Sequence, residues 1–318
     1  MKKRQLGSTG IPVTPIGFGV LTIGRNQLNL SLEEGAAVLR HGLERGISLL
    51  DTAQYYETYP YIREVLRGGA YDPVIVTKSY QSSYLGMSEA IEEARREMDR
   101  DVIDVFLLHE VRSETDFKER AGAWDCLINA REKGWIKAVG VSTHHVDVAE
   151  AIAINLEADV LFPLINLAGL GIRKGNGSGT REEMEAAIRT AADNGQGVLA
   201  MKVFGGGLLL DRYQDAYRYA SSLYGIASSM VGFGSIEEVD RMIELVEGAL
   251  PNDYFPDLSS KRIRIDQSDC IACYACKDRC PNAAIFINEN GLAEIDYDCC
   301  LSCGYCGPVC PVRAIILL

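Results

Sequence analysis

"VIVTKSYQSSYLGMSEAIEEARREMDRDVIDVFLLH", residues 74–109, holds one complete unit of the architecture. It opens on VIVTK (74–78) and closes on VFLLH (105–109), two short runs that are apolar throughout rather than alternating with polar residues. Strands of that kind are buried on both faces, as parallel strands between helices are. Between them, SEAIEEARREM (88–98) carries its apolar residues on one helical face. The same alternation extends in both directions. PIGFG (15–19), ISLLD (47–51), AVGVS (138–142), VLFPLIN (160–166), VLAMK (198–202) and SMVGFG (229–234) are further strand runs, and REEMEAAIRTAADNG and IEEVDRMIELVEG further amphipathic segments. Ser31/Glu34, Thr180/Glu183 and Ser235/Glu238 each have the spacing of a capping box, in which hydroxyl and carboxylate satisfy free N–H groups at a helix start. Eight β-then-α units in about 250 residues predict a closed (β/α)8 TIM barrel. An open doubly wound sheet is disfavoured, because no G-x-G-x-x-G follows the first strand. GNGSG (175–179) and GGG (205–207) read as loop glycines.

Composition narrows the function. The chain has 318 residues, 47% hydrophobic and 24% charged, with a net charge of −12. That charge argues against a nucleic-acid partner, which needs a basic face. No apolar run reaches the roughly 18 residues of a membrane span. MKKRQLGSTG has the charges of a signal peptide without an apolar stretch behind them, so a cytoplasmic location is expected. The closing AIILL reads as a strand.

Cysteine placement separates the chain's end from the rest. Cys126 precedes a cluster of nine between Cys270 and Cys310. PNDYFPDLSSKR (251–262) reads as a linker, giving a barrel over 1–250 and a small module over 263–318. The module repeats with a period of thirty: Asp266, Cys270, Cys273, Cys276, Cys280 and Pro281 match Asp296, Cys300, Cys303, Cys306, Cys310 and Pro311. Some 55 residues cannot secure a fold on core burial alone, so metal ligation is expected to supply the difference. A pair of zinc sites is the competing reading, but zinc motifs seldom double this spacing. Cys126 reads as a small core residue and Cys299 as a spectator.

Each repeat fits C-x2-C-x2-C-x3-C-P and resembles the bacterial-type ferredoxins. The resemblance implies a small α+β ferredoxin-like iron–sulfur domain with two 4Fe–4S clusters. One would be held by Cys270, Cys273, Cys276 and Cys310, the other by Cys300, Cys303, Cys306 and Cys280.

In the barrel, polar residues close consecutive strands: Asp51, Lys78, His109, Ser142, Asn166 and Lys202. Function in such barrels sits at that C-terminal rim. RQLGSTGIPVTPIGFG (4–19), LLDTAQYY (49–56), VIVTK, VFLLH and GWIKAVGVS (134–142) resemble the aldo-keto reductases, with the match running from Arg4 to Glu247. The resemblance implies reduction of a small carbonyl substrate and a catalytic tetrad of Asp51, Tyr56, Lys78 and His109. Tyr56 would be the general acid, with its pKa lowered by Lys78, and His109 would orient the carbonyl. Tyr55 competes for the acid role.

For a nicotinamide the resemblance points to Ser142, Thr143, Asn166, Lys202, Gly232, Gly234, Ser235 and Glu238. Thr143 stands where the family usually has asparagine, and Phe162 near the place of a glutamine. The segment GFGSIEEVDR carries Glu237, Glu238 and Asp240 where basic residues usually meet a 2′-phosphate, so NADH is expected over NADPH. Clusters pass single electrons, so a nicotinamide, a flavin or two successive transfers must supply the pair that carbonyl reduction needs. A ferredoxin or another electron-transfer protein is a possible partner. Two alternatives remain: an electron-transfer protein with a non-catalytic barrel as docking body, and an active barrel with a merely structural tail.

Overall fold

The apolar runs become the staves of a closed barrel. The structure is a computed structural model describing residues 1–259, 261–301, 304–312 and 314–318. A hairpin of β1 (Arg4–Gln5) and β2 (Pro12–Val13) comes first. The barrel strands are β3 (Ile16–Gly19), β4 (Leu49–Asp51), β5 (Val74–Ser79), β6 (Ile103–Leu108), β7 (Ile136–Thr143) and β8 (Val160–Pro163), then β11 (Gly197–Ala200) and β12 (Ile226–Gly232). All are parallel, and β12 closes on β3. Between β8 and β11 a hairpin of β9 (Arg173–Lys174) and β10 (Gly177–Ser178) turns at Gly175, whose φ is +51°, and bridges to His145 at the rim.

Two buried layers follow from the uniformly apolar strands. Leu49, Val76, Val105, Leu107, Phe162 and Leu199 fill the barrel, and Leu6, Ile11 and Val13 join them from the hairpin. The outward residues Phe18, Leu50, Phe106 and Val139 pack beneath the helices. Those helices are α1 (Leu32–Glu44), α2 (Tyr59–Leu66), α3 (Tyr84–Met98), α4 (Glu114–Glu119), α5 (Ala121–Glu132), α6 (Val146–Ala153), α7 (Arg181–Asp193), α8 (Tyr213–Ser222) and α9 (Ile236–Glu247). Cys126 is buried on α5. No helix among the described residues is long and apolar enough to cross a membrane.

The capping boxes at Ser31 and Thr180 are complete. The one at Ser235 is only half formed. Ser235 accepts from the Glu238 amide, but the Glu238 carboxylate turns to the Gly234 amide at 2.7 Å and to Lys261 at 2.6 Å.

Beyond α9, residues 251–259 form neither helix nor strand, yet Tyr254 packs edge-on to Tyr213 at 6.1 Å. The tail pairs β13 (Ile263–Ile265) with β16 (Ile315–Leu317), and β14 (Ile285–Ile287) with β15 (Ala293–Ile295). A short helix, α10 (Ala275–Arg279), completes it. Its core is Ile263, Ile285, Ile295, Ala314 and Ile315 with Cys276, Cys306 and Cys310.

The GGG glycines do more than turn a loop. Leu317 donates its amide to the Gly206 carbonyl at 2.8 Å. A Cβ on Gly207, whose φ is +87°, would lie 2.2 Å from the Leu317 carbonyl oxygen. Only glycine lets the tail's last strand lie against this rim loop.

Candidate active site

Parallel strands bring residues distant in sequence to one rim. Asp51 ends β4, Lys78 lies in β5, and His109 follows β6 with its amide on the Ser79 carbonyl at 3.0 Å. A one-turn 3-10 helix, Gln54–Tyr56, swings Tyr56 over them. Lys78 Nζ lies 2.6 Å from Asp51 Oδ1, donates to the Thr52 carbonyl at 2.8 Å and sits 4.9 Å from the Tyr56 ring centre. Tyr56 Oη and His109 Nε2 are 3.4 Å apart. Tyr55, 45% exposed, points outward and does not line the cavity.

Burial sets the protonation states. It lifts the Tyr56 phenol well above its ordinary value, and Asp51, Tyr80, Asp266 and Asp269 add to the rise. Lys78, 4.9 Å from the ring centre, does not outweigh burial and these neighbours, so the net shift of the phenol is upward. Burial holds His109 well below the ordinary imidazole range, with Lys78 and Arg120 adding to the fall. His109 is neutral and Tyr56 keeps its proton at neutral pH. Burial also raises Asp51 and lowers Lys78, each opposed by the other's charge.

Two residues missed in the sequence hold His109. The Tyr80 ring stacks on the imidazole at 4.2 Å, and its hydroxyl donates to Glu110 at 2.8 Å. Tyr80 stands two residues beyond Lys78, so period-2 alternation could have placed it on the same side. Buried Arg120 donates to the carbonyls of His109 and Ser79, both at 2.9 Å. Nothing near Arg120 in sequence signals that role.

The group sits at the floor of a cavity of about 270 Å³. Ser142, Lys202, Gly232, Gly234 and Glu238 line it; Thr143, Asn166 and Ser235 do not. Thr143 donates to the Val111 carbonyl at 2.6 Å and accepts from the His145 amide at 2.9 Å. Asn166 closes its own loop through both Leu170 backbone groups, each at 2.9 Å. Ser235 caps α9. Each of these three is engaged in a local hydrogen bond of its own loop or helix start. Ser142 accepts from the Glu110 amide at 2.8 Å. Phe162 is fully buried beneath Lys78.

The tail roofs this cavity, a feature absent from the sequence reading. Asp266, Ser268, Asp269, Leu317 and Leu318 form part of its wall. Lys202, read as a nucleotide ligand, lines the cavity and pairs with Asp269. Burial opposes the Lys202 charge, but Asp269 and Asp266 hold its pKa above the ordinary value. Arg264 also donates to the Gln27 carbonyl.

Within the tail the cysteines form two cradles. Cys270, Cys273, Cys276 and Cys310 surround one small apolar hollow, and Cys280, Cys300 and Cys306 another. Cys303 lies outside the described residues. The last cysteine of each run crosses to the other hollow, and soft thiolates in dry apolar cages suit iron–sulfur ligation. Cys299 is exposed and lines neither.

A closed (β/α)8 barrel with its polar group at the C-terminal mouth is the architecture of barrel enzymes. This chain belongs to the aldo/keto reductase family, whose model matches residues 15–223, and a 4Fe-4S dicluster model matches 262–312. It is 32% identical over 124 residues to 2,5-diketo-D-gluconic acid reductase B of Corynebacterium sp., covering 37% of this chain and 44% of that protein. Methylglyoxal reductase DkgA of Yersinia pestis is 24% identical over 127 residues, covering 39% and 45%. The chain thus spans less than half the length of these two relatives. The tail is 53% identical over 34 residues to ketoisovalerate oxidoreductase subunit VorD of Pyrococcus horikoshii, 11% of this chain and 32% of that one. In fold, the holo form of aldo-keto reductase AKR11C1 from Bacillus halodurans superposes with a TM-score of 0.65 at 20% identity, covering 79% of this chain and 93% of that one.

Proposed function

We propose that the chain is an oxidoreductase reducing a small carbonyl compound at Asp51, Tyr56, Lys78 and His109, with electrons passed through the tail's clusters and/or a nicotinamide. This reading divides the chain into a barrel over 1–250, a connector over 251–262 and a ferredoxin domain over 263–318. Cys270, Cys273, Cys276 and Cys310 would hold one 4Fe–4S cluster, and Cys280, Cys300, Cys303 and Cys306 the second. Bound clusters supply one-electron transfer. A ferredoxin or similar carrier is the partner class that fits such an inlet.

The observation that carries the reading is the roof. Asp269, the residue before Cys270, is ion-paired to Lys202 in the wall of the cavity that holds the tetrad. A tail that only stabilised itself would have no need to close over that mouth.

Carbonyl reduction consumes two electrons and two protons. Tyr56, kept protonated by burial, gives one proton to the carbonyl oxygen, while neutral His109 hydrogen-bonds the same oxygen. The Lys78 ammonium, 4.9 Å from the Tyr56 ring centre, stabilises the phenolate left behind. A nicotinamide held along the Gly232, Gly234 and Glu238 wall would supply the electron pair and the second proton together, as hydride to the carbonyl carbon, and NADH is preferred over NADPH because Glu238 already holds the anion position at the start of α9.

The test is a pair of variants in anaerobic protein containing about eight irons per chain. Tyr56→Phe should keep its iron and absorbance while turnover falls by about 10²–10⁴-fold. Cys273→Ala should lose iron and cluster-driven turnover with the barrel still folded. Full turnover by Tyr56→Phe overturns the reading.

A further inference from the structure

A second cavity, of about 310 Å³, lies beside the first and shares Glu110, His144 and Asp269 with it. Its outer wall is built from Arg112, Ser113, His145, Arg173 and Asn176 of the barrel rim, with Ile271 and Val312 of the tail. Ile271 and Val312 also line the Cys270 cradle. The second cavity therefore adjoins both the cavity that holds the tetrad and the tail.

Its charges are unevenly satisfied. Glu110 accepts from Tyr80 and Arg112, and Asp269 is paired with Lys202, so neither carboxylate is free. Arg173 has no carboxylate partner among the described residues; its guanidinium makes one long contact, 3.4 Å, to the Pro311 carbonyl. His144 and His145 are only 7% and 8% exposed. His145 Nδ1 is buried without a hydrogen-bond partner, with the nearest carboxylate oxygen, of Asp147, 3.8 Å away. The wall offers guanidinium and imidazole donors and few free acceptors. That is the complement of an anion.

The backbone explains how Arg173 comes to stand there. Its amide donates to the His144 carbonyl at 2.9 Å, and the β9–β10 hairpin pairs Ser178 with Arg173. Gly175, with φ of +51°, turns the tip that carries Asn176. The GNGSG motif thus presents Arg173 on one edge of this cavity.

We propose that this cavity is the substrate's anion site: it binds a carboxylate or phosphate on a small carbonyl compound whose carbonyl reaches Tyr56 and His109. Arg173 is the principal determinant. The carbonyl end rests on the reductase reading; the anion end does not, and the two are separated by measuring binding as well as turnover.

The binding probes are 4-(hydroxymethyl)benzoate, which has no carbonyl to reduce, and inorganic phosphate, each followed by calorimetry on the full iron-loaded chain. Benzyl alcohol is the neutral control. Arg173→Gln should weaken the preferred anion about ten- to hundredfold, the usual effect of losing a charged hydrogen bond, and Arg173→Lys should recover part of it. Tighter phosphate marks a phosphorylated substrate, and tighter benzoate a carboxylate. In turnover, the preference for 4-carboxybenzaldehyde over benzaldehyde should fall toward one in Arg173→Gln, through KM rather than kcat. Asn176→Asp, at an exposed tip, should weaken the anion without threatening the fold. Anion binding without aldehyde turnover would leave this site standing and overturn the reductase reading. Equal affinity of parent and both variants for each anion, or equal losses for benzyl alcohol, would overturn the site.

Discussion

At the scale of single residues, identity was legible and environment was not. Asp51, Tyr56, Lys78 and His109 could be named because each sits at a fixed place relative to a strand end, and the structure gathers them around one cavity. The state of Tyr56 could not, because it depends on Asp266 and Asp269, more than 200 positions away, as well as on burial. Histidines give the same lesson with a measurable consequence. Burial lowers His144 from an ordinary 6.5 to about 4. Below pH 6.5 the unfolded chain takes up a proton that the native chain resists until about pH 4. Stability is thus lost as the pH falls through that window, by on the order of 3 kcal/mol for this group alone. His109 and His145 are also held down by burial and act in the same direction. Urea midpoints followed by tryptophan fluorescence should drop between pH 7.5 and 5, and His144→Gln should flatten the drop. A midpoint independent of pH would show that these imidazoles are not buried in the neutral form.

Among elements, the strand runs were the most legible part, since a run apolar on both faces has few places to go but a barrel wall. Two of the three helix starts formed the full box that their spacing predicts, and the third only its first hydrogen bond. Ser235 and Glu238 have the box spacing, yet Glu238 bonds the Gly234 amide and Lys261, a partner that no local pattern announces. The result is a carboxylate seated at the N-terminal end of α9, where the free amides would otherwise attract a phosphate. Glu237 lies beside it on the same first turn. A nucleotide 2′-phosphate brought here meets negative charge that Lys261 only partly offsets. NADH should therefore bind more tightly than NADPH by at least severalfold, equivalent to on the order of 1 kcal/mol. Glu238→Gln frees Lys261 and should narrow or reverse the preference, while helix content stays the same because Ser235 still caps α9. Fluorescence titration of both nucleotides against both proteins decides it, and tighter NADPH binding by the parent would place the 2′-phosphate elsewhere.

For the whole molecule, the decisive contact joins residues 67 apart in sequence that lie on opposite sides of the domain seam, Lys202 and Asp269. Sequence showed a barrel and a tail but not that one closes over the other. The glycines that admit Leu317 looked like any loop, and Lys202 looked like a rim ligand. The seam has an electrostatic consequence for the tail. A cation beside a cluster favours the added electron and an anion opposes it, so nearby charges tune the potential. Lys202→Gln leaves Asp269 unpaired next to Cys270 and should lower one midpoint potential, on the order of tens of millivolts for a charge at this range. Asp269→Asn leaves Lys202 unpaired and should raise the same potential. The double variant, again neutral at the seam, should return near the parent value, and Lys202→Arg should not move it. The second proposed centre, assigned to Cys280, Cys300, Cys303 and Cys306, should hold constant throughout, since neither Lys202 nor Asp269 lines the hollow of Cys280, Cys300 and Cys306. Redox titrations followed by EPR read both centres separately. Opposite shifts in one centre alone would mean that the barrel rim sets the energy at which electrons arrive. Equal shifts in both, or shifts of one sign for the two single variants, would mean that the seam only anchors the tail.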